Sequence, residues 1–162
     1  MDFIKTYFQA EKSESLLFML IGVLTITFSV YAIIKWGAPF YKGFAIPLVL
    51  IGLIQMVVGS TVYFRTDQQQ QVLQTLYSTN KPVFVEQETT RMDKVMANFL
   101  VYKKIEIAFV LIGLFLMLFS PGKEFWLGIG VGMFMQGAIM LTCDIFAERR
   151  GKIYQAAFTS EV

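Results

Sequence analysis

Apolar residues fill four long stretches of the chain, and the polar residues are concentrated between them. The stretches span residues 16–34, 44–64, 105–119 and 125–146. A helix needs about 20 apolar residues to cross the hydrocarbon core of a bilayer, with about 17–25 as the usual range. Three stretches have that length. The third reaches it, at about 102–120, because the long side chains of Lys103 and Lys104 can extend to the headgroups. The pattern predicts four transmembrane helices.

Composition agrees with this pattern. Of the 162 residues, 56% are hydrophobic and only 16% are charged. Because four spans use most of the chain, we expect one domain and no separate soluble one. The predicted fold class is an all-α integral membrane protein with four transmembrane helices, and its first partner is the lipid bilayer.

The basic residues predict how the helices are oriented. Eleven of the 14 lysines and arginines lie in the N-terminal arm, in the central connection 65–104 or in the C-terminal tail. The other three are Lys35, Lys42 and Lys123, between the members of each pair of spans. An excess of basic residues marks the cytoplasmic side of a membrane protein. We therefore expect a protein of the inner or plasma membrane with both termini in the cytoplasm.

The two halves of the chain resemble each other in sequence. A shift of 91 residues places 18–29 on 109–120, where six of the twelve positions are identical. Beyond the first outer loop, a shift of 81 pairs several polar residues: Gln55 with Gln136, Thr61 with Thr142 and Gln74 with Gln155. The difference of ten residues predicts that the first outer connection is the longer one, with or without helical extension.

This similarity predicts an internal duplication. The first copy of a helical hairpin is 1–79, the second is 92–162, and residues 80–91 form a cytoplasmic linker. Because each copy has two spans, both copies share one orientation. Their relation should be a pseudo-twofold axis along the membrane normal rather than the inverted repeat of many transporters.

Amphipathic segments flank the predicted spans on the cytoplasmic side. Their apolar residues recur at helical spacing: Phe3, Ile4, Tyr7 and Phe8; Val72, Leu73, Leu76 and Tyr77; Ile153, Tyr154 and Phe158. Helices of this kind either lie in the membrane interface or pack into a small bundle beneath the membrane. The sequence leaves both arrangements open.

Gln55 and Gln136 are the most informative polar residues because both fall near the middle of a predicted span. Each shares a helix face with glycines, which mark where membrane helices approach closely. One interpretation is an interhelical hydrogen bond, worth about 0.6 kcal/mol on average. The other is a pair of ligands on a central solute path. We favour the structural interpretation.

Small residues form stripes on the predicted spans. Gly22 lies on one face with Thr25 and Ser29, and the other candidates for helix packing are Gly52, Gly59, Gly128 and Gly132. Such stripes allow helices to pack closely. The spacing of Gly128 and Gly132 is also a weak signal for homodimerisation.

Charged residues gather at the cytoplasmic edge of the predicted spans. Glu106 and Asp144 lie just inside this edge, and the basic residues at their level include Arg65, Lys103 and Arg149. A charge at this depth is costly unless it is paired or hydrated, so we expect salt bridges or snorkelling. An acidic vestibule for a cation is the alternative.

Further along the central connection, Glu86 and Glu88 stand beside Arg91. The expected arrangement is a solvated helix face. An exposed charged segment of this kind is also where a cytoplasmic partner would dock.

Several chemistries lack the residues that they need. The chain has no histidine and one cysteine, Cys143, which excludes imidazole bases, redox pairs and cysteine-rich metal sites. It has neither a P-loop nor a dinucleotide-binding glycine motif. We therefore expect no catalytic residues, no cofactor, no metal and no nucleic-acid partner.

Two functional hypotheses remain. In the first, the protein binds a protein partner, as an inhibitor, an immunity factor or an assembly subunit. In the second, it is a small channel or solute carrier, which allows a homo-oligomer, with a path past Gln55 and Gln136. We favour the first because of the large cytoplasmic share of the chain and the absent catalytic residues.

Overall fold

The computed structural model describes residues 2–160, and its regular structure is entirely helical. It contains four helices: α1 Asp2–Trp36, α2 Pro39–Thr79, α3 Lys81–Phe119 and α4 Glu124–Thr159. The predicted all-helical architecture with four helices is thereby confirmed.

Each helix is longer than a membrane is thick. With 35 to 41 residues and a rise of 1.5 Å per residue, the helices are about 50–60 Å long. The hydrocarbon core of a bilayer is about 30 Å thick. The amphipathic segments expected as separate flanking helices are therefore continuous with the apolar segments. No glycine or proline interrupts α1 before residue 22 or α2 after residue 59, so both helices continue without a break.

Three of the helices are long and apolar enough to cross a membrane, namely α1, α2 and α4. The helix that falls short is α3, where Lys103, Lys104 and Glu106 interrupt the apolar sequence before residues 107–119. Its apolar side chains are nevertheless exposed over this segment, among them Phe115, Leu118 and Phe119.

The two hairpins meet through their second helices. Helix α1 packs along α2, α3 packs along α4, and α2 packs against α4 in the centre. Smaller contacts join α1 to α4 and α2 to α3. The backbones of α1 and α3 stay apart within residues 2–160, but side chains join them, as where the guanidinium of Arg91 lies over the ring of Phe8. The inner helices α2 and α4 therefore hold the arrangement together.

Glycines allow the backbones to approach closely at these contacts. All five glycines that the sequence marks for packing lie against another helix: Gly22, Gly52, Gly59, Gly128 and Gly132. A Cβ atom on Gly128 would lie 2.1 Å from the carbonyl oxygen of Phe40, and one on Gly22 would lie 2.6 Å from that of Gly52. No larger side chain fits at these positions without moving a helix.

The ends of the helices away from the Gly37 and Gly122 turns form a second packed unit, which we call the terminal bundle (residues 2–15, 65–79, 81–104 and 147–159). Its core is a cluster of buried apolar side chains: Ile4, Tyr7, Phe8, Leu73, Phe84, Met92, Tyr154 and Phe158. Of the two arrangements that the sequence left open for the amphipathic segments, the structure has the bundle.

The connections between helices are short. Asn80 is the one residue between α2 and α3, and its side chain accepts a hydrogen bond from the backbone N–H of Val83. Residues 81–91, expected as a linker, are the first turns of α3. Gly37 and Gly122 adopt positive φ angles of 60° and 73° in the two other turns, which favours glycine. The sequence around Gly37 has ten more residues than the sequence around Gly122, and these residues lengthen α1 and α2 rather than the turn.

Candidate functional site

The two central glutamines meet between α2 and α4. Both side chains are buried. The Nε2 of Gln136 donates to the Oε1 of Gln55 at 3.5 Å and to the hydroxyl of Thr25 on α1 at 3.4 Å. Within residues 2–160, the Nε2 of Gln55 and the Oε1 of Gln136 have no hydrogen-bond partner. The centre thus joins three helices through neutral groups that can exchange hydrogen bonds but not protons.

Close helix packing explains why these side chains meet. A Cβ atom on Gly52 would lie 3.0 Å from the hydroxyl of Thr25, and one on Gly132 would lie 2.5 Å from the ring of Pro47. The backbones therefore approach on both sides of the amide pair. The amides lie at the same level because each follows its glycine by one helical turn.

A second polar centre lies in the core of the terminal bundle. Glu88 is only 1% exposed, and its carboxylate accepts two hydrogen bonds from Arg91, at 2.8 and 2.6 Å. The guanidinium of Arg91 also lies 5.6 Å from the ring centre of Phe8. Burial disfavours this cation, but the hydrogen bonds that it donates to the carboxylate of Glu88 outweigh this effect and raise the pKa of Arg91. The expectation of a solvated face for Glu88 is wrong.

Two tyrosines complete this centre. The rings of Tyr7 and Tyr154 stack with centroids 4.1 Å apart. Burial raises the pKa of both phenols, and the neighbouring acids Glu11 and Glu88 act in the same direction. The phenols are therefore neutral over the physiological range.

Ion pairs surround the buried centre. Arg150 pairs with Glu14 and lies over the ring of Tyr7. Glu11 lies 3.9 Å from Arg65. Burial raises the pKa of Glu11, and the nearby guanidinium of Arg65 opposes this shift. We call this assembly, centred on Glu88 and Arg91, the buried charge network.

The charged residues predicted at the membrane edge divide into paired and unpaired groups. Lys103 pairs with Glu148 at 2.5 Å, and Lys152 pairs with the same carboxylate at 2.9 Å. These two hydrogen bonds lower the pKa of Glu148. Arg149 is exposed. Glu106 is buried and forms no ion pair in the described part of the chain, so the expected salt bridge is absent at this carboxyl.

No set of three or more histidine, cysteine, aspartate or glutamate side chains is arranged to hold a metal ion within residues 2–160. Comparison with protein-family models, with curated proteins and with solved structures finds no match. The geometry of the chain is therefore the whole basis for a functional proposal.

Our first prediction concerns the amide pair. We expect Gln55→Leu and Gln136→Leu to fold, and their effects on the free energy of unfolding to be coupled by about 0.6 kcal/mol in the double variant. The coupling arises because either substitution removes the same hydrogen bond. Reversible unfolding in mixed detergent micelles measures it. The pair Gln55→Leu and Thr142→Val, which share no contact, is the control and should be additive. Additivity in the glutamine pair would contradict the prediction.

Our second prediction concerns the buried charge network. Glu88→Gln leaves the half-buried Arg91 cation without its counter-ion, which should lower the free energy of unfolding by about 3 kcal/mol. Glu86→Gln, two residues earlier and exposed, removes the same charge and should change it by less than about 0.5 kcal/mol. Thermal unfolding of both variants measures the difference. Equal effects would show that Glu88 does not stabilise the bundle.

Proposed function

We propose that this chain is a non-enzymatic membrane protein whose terminal bundle lies in the cytoplasm and binds a protein partner. In this proposal all four helices cross the membrane, and both termini are cytoplasmic. The observation that carries partner binding is a shallow groove without charged residues on the terminal bundle, at a distance from the membrane that lipid does not reach.

In this proposal α3 also crosses the membrane, in addition to α1, α2 and α4. Its segment 107–119 runs antiparallel to α4 and exposes apolar side chains along its length. Exposed apolar side chains of this density are stable in lipid and costly in water. Lys103 and Lys104 lie at the beginning of this segment, where their ammonium groups can reach the headgroups.

The proposal also includes duplication of the hairpin, and equivalent contacts support it. Gly22 lies against Gly52 in the first hairpin, and Gly113 lies against Gly130 in the second. Shifting the first helix by 91 residues and the second by 78 relates these pairs. The second shift is three residues smaller than the 81 that the polar residues give.

Ion pairs support the shift of 81. Lys12 pairs with Asp67, and Lys103 pairs with Glu148, both at 2.5 Å. These pairs are related by shifts of 91 and 81. The glycine contacts and the ion pairs therefore differ by three residues in their shift along the second helix of the hairpin, which is close to one helical turn. A duplicated hairpin accounts for both sets of contacts if α4 is displaced by about one turn near its glycines.

The groove lies between the end of α2 and the beginning of α3. Its lining has no charged residue: Gln71, Val72, Thr75, Leu76, Thr79 and Gln87. Val72 is 59% exposed. Residues 71–79 lie about 10–20 Å beyond the apolar segment of α2, which ends at Phe64, at 1.5 Å per residue. Lipid therefore does not cover them. A surface that exposes Val72 and carries no charged residue resembles the core of a protein–protein interface, where charged residues are depleted.

The groove fits an amphipathic helix of the partner. It follows α2 for about 12 Å, two helical turns, which accommodates apolar side chains at positions i and i+4 or i+7 of a docked helix. The amides and hydroxyls of Gln71, Thr75 and Gln87 can hydrogen-bond the polar edge of such a helix. The amide contact between Gln55 and Gln136 supports packing rather than a solute path.

Our third prediction tests the membrane arrangement. In a Cys143→Ser background, single cysteines at the exposed positions Lys35 and Lys123 should react with a membrane-impermeant maleimide in intact cells. A cysteine at the exposed Ser78 should react only after the membrane is permeabilised. Because α3 connects the regions of Ser78 and Lys123, reaction of both from the same side would show that α3 does not cross.

Our fourth prediction tests the groove. A photo-crosslinking amino acid at Gln87 should join the protein in cells to a partner of discrete mass, and Val72→Arg should abolish this adduct because it places a charge in the groove. The matched control is Ile153→Arg. Ile153 is the counterpart of Val72 at a shift of 81 and is 63% exposed, but it lies outside the groove. An adduct that survives Val72→Arg, or none at all, would reject this surface.

A further inference from the structure

Glu106 is a buried carboxyl without a protein partner. It lies on the side of α3 that faces α4, and it is 2% exposed. Neither of its oxygens lies in hydrogen-bonding geometry with a donor in residues 2–160. An ionised carboxylate in this position would have lost its hydration without compensation, which is among the costliest arrangements in a folded protein.

The charged groups around Glu106 do not neutralise it. On its own helix, the ammonium of Lys103 is held by Glu148. On α4, the adjoining groups are the half-buried carboxyl of Asp144 and the thiol of Cys143. On α1, Glu14 lies beyond Cys143 and pairs with Arg150. The neighbour that acts most directly on Glu106 is thus a second acid.

The first hairpin shows which kind of side chain is sufficient for helix packing at the position of Glu106. Its counterpart of Glu106 is Ser15, and the backbone oxygens of both residues lie against a glycine of the next helix, Gly59 or Gly137. The hydroxyl of Ser15 donates to the carbonyl of Lys12 at 2.8 Å and so satisfies itself within its own helix. A small, self-satisfied side chain is therefore sufficient, and the carboxyl of Glu106 is not required by the fold.

We propose that Glu106 and Asp144 form a proton-binding site in which the two carboxyls share one proton. The proton resides on Glu106, the more buried of the two, and Glu106 donates it in a hydrogen bond to the carboxylate of Asp144. This removes the charge from the apolar side of the pair and leaves it on the half-buried side. Two adjacent acids holding one proton avoid the repulsion of two carboxylates. The proposal goes beyond partner binding and does not depend on it.

Infrared difference spectroscopy tests the site in the protein reconstituted into lipid vesicles at pH 7. The spectrum of the wild type minus that of Glu106→Gln should contain the C=O stretching band of a protonated carboxyl, and labelling with side-chain 13C-glutamate should shift this band. The matched control is Glu124→Gln, since Glu124 is exposed at the beginning of α4. Its difference spectrum should contain carboxylate bands only.

The acceptor is tested by Asp144→Asn. An amide oxygen accepts a weaker hydrogen bond than a carboxylate does, so the Glu106 band should remain and move to higher frequency. An unmoved band would overturn the sharing of the proton with Asp144. Loss of carboxylate bands in Glu106→Gln would overturn protonation of Glu106. Where that variant fails to fold, a 13C-glutamate wild-type spectrum without a protonated carboxyl band at pH 7 overturns it equally.

Discussion

The close approach of α2 and α4 is the constraint on which the rest of the structure depends. A Cβ atom on Gly43 would lie 2.0 Å from the carbonyl oxygen of Phe125, so the backbones themselves are in contact. Between apolar helices in lipid there is little hydrophobic driving force, and association relies on this kind of packing. The same approach brings Gln55 and Gln136 together. The outer helices α1 and α3 then pack against this central pair, and their backbones do not approach each other within residues 2–160.

The sequence predicts the spans and the packing surfaces because both depend on residues that recur at the period of a single helix. Glycines at Gly22, Gly52 and Gly128 follow that period, and so do the glutamines. The sequence does not predict that each apolar segment continues into the terminal bundle, because an amphipathic segment has the same pattern on a membrane surface and in a bundle. Asn80 and Pro82 mark the break between α2 and α3, and a proline such as Pro82 starts a helix as well as it ends one.

The buried charge network was missed for a different reason. Phe84, Glu88 and Met92 are spaced by four residues and share one face of α3, with a charge between two apolar side chains. Counting charges in a segment hides this arrangement, whereas following a single face reveals it. Arg91, three residues after Glu88, supplies the counter-ion on the same helix. The sequence held this signal, but the identity of the elements packed on that face required the structure.

Where the two hairpins differ is more informative than where they agree. Under the proposed duplication, both hairpins inherit the same packing solution, so positions such as Gly22 and Gly113 follow from the fold. Ser15 and Glu106 occupy one packing position, and only the second hairpin carries an acid there. Its counterpart of Asp67 is Glu148, which keeps the ion pair with lysine, so the acid at Glu106 adds a charge-bearing group without replacing one. Under the proposed proton-binding role, Glu106 neither stabilises packing nor compensates a charge. That role therefore rests on the asymmetry between the two hairpins rather than on the central glutamines.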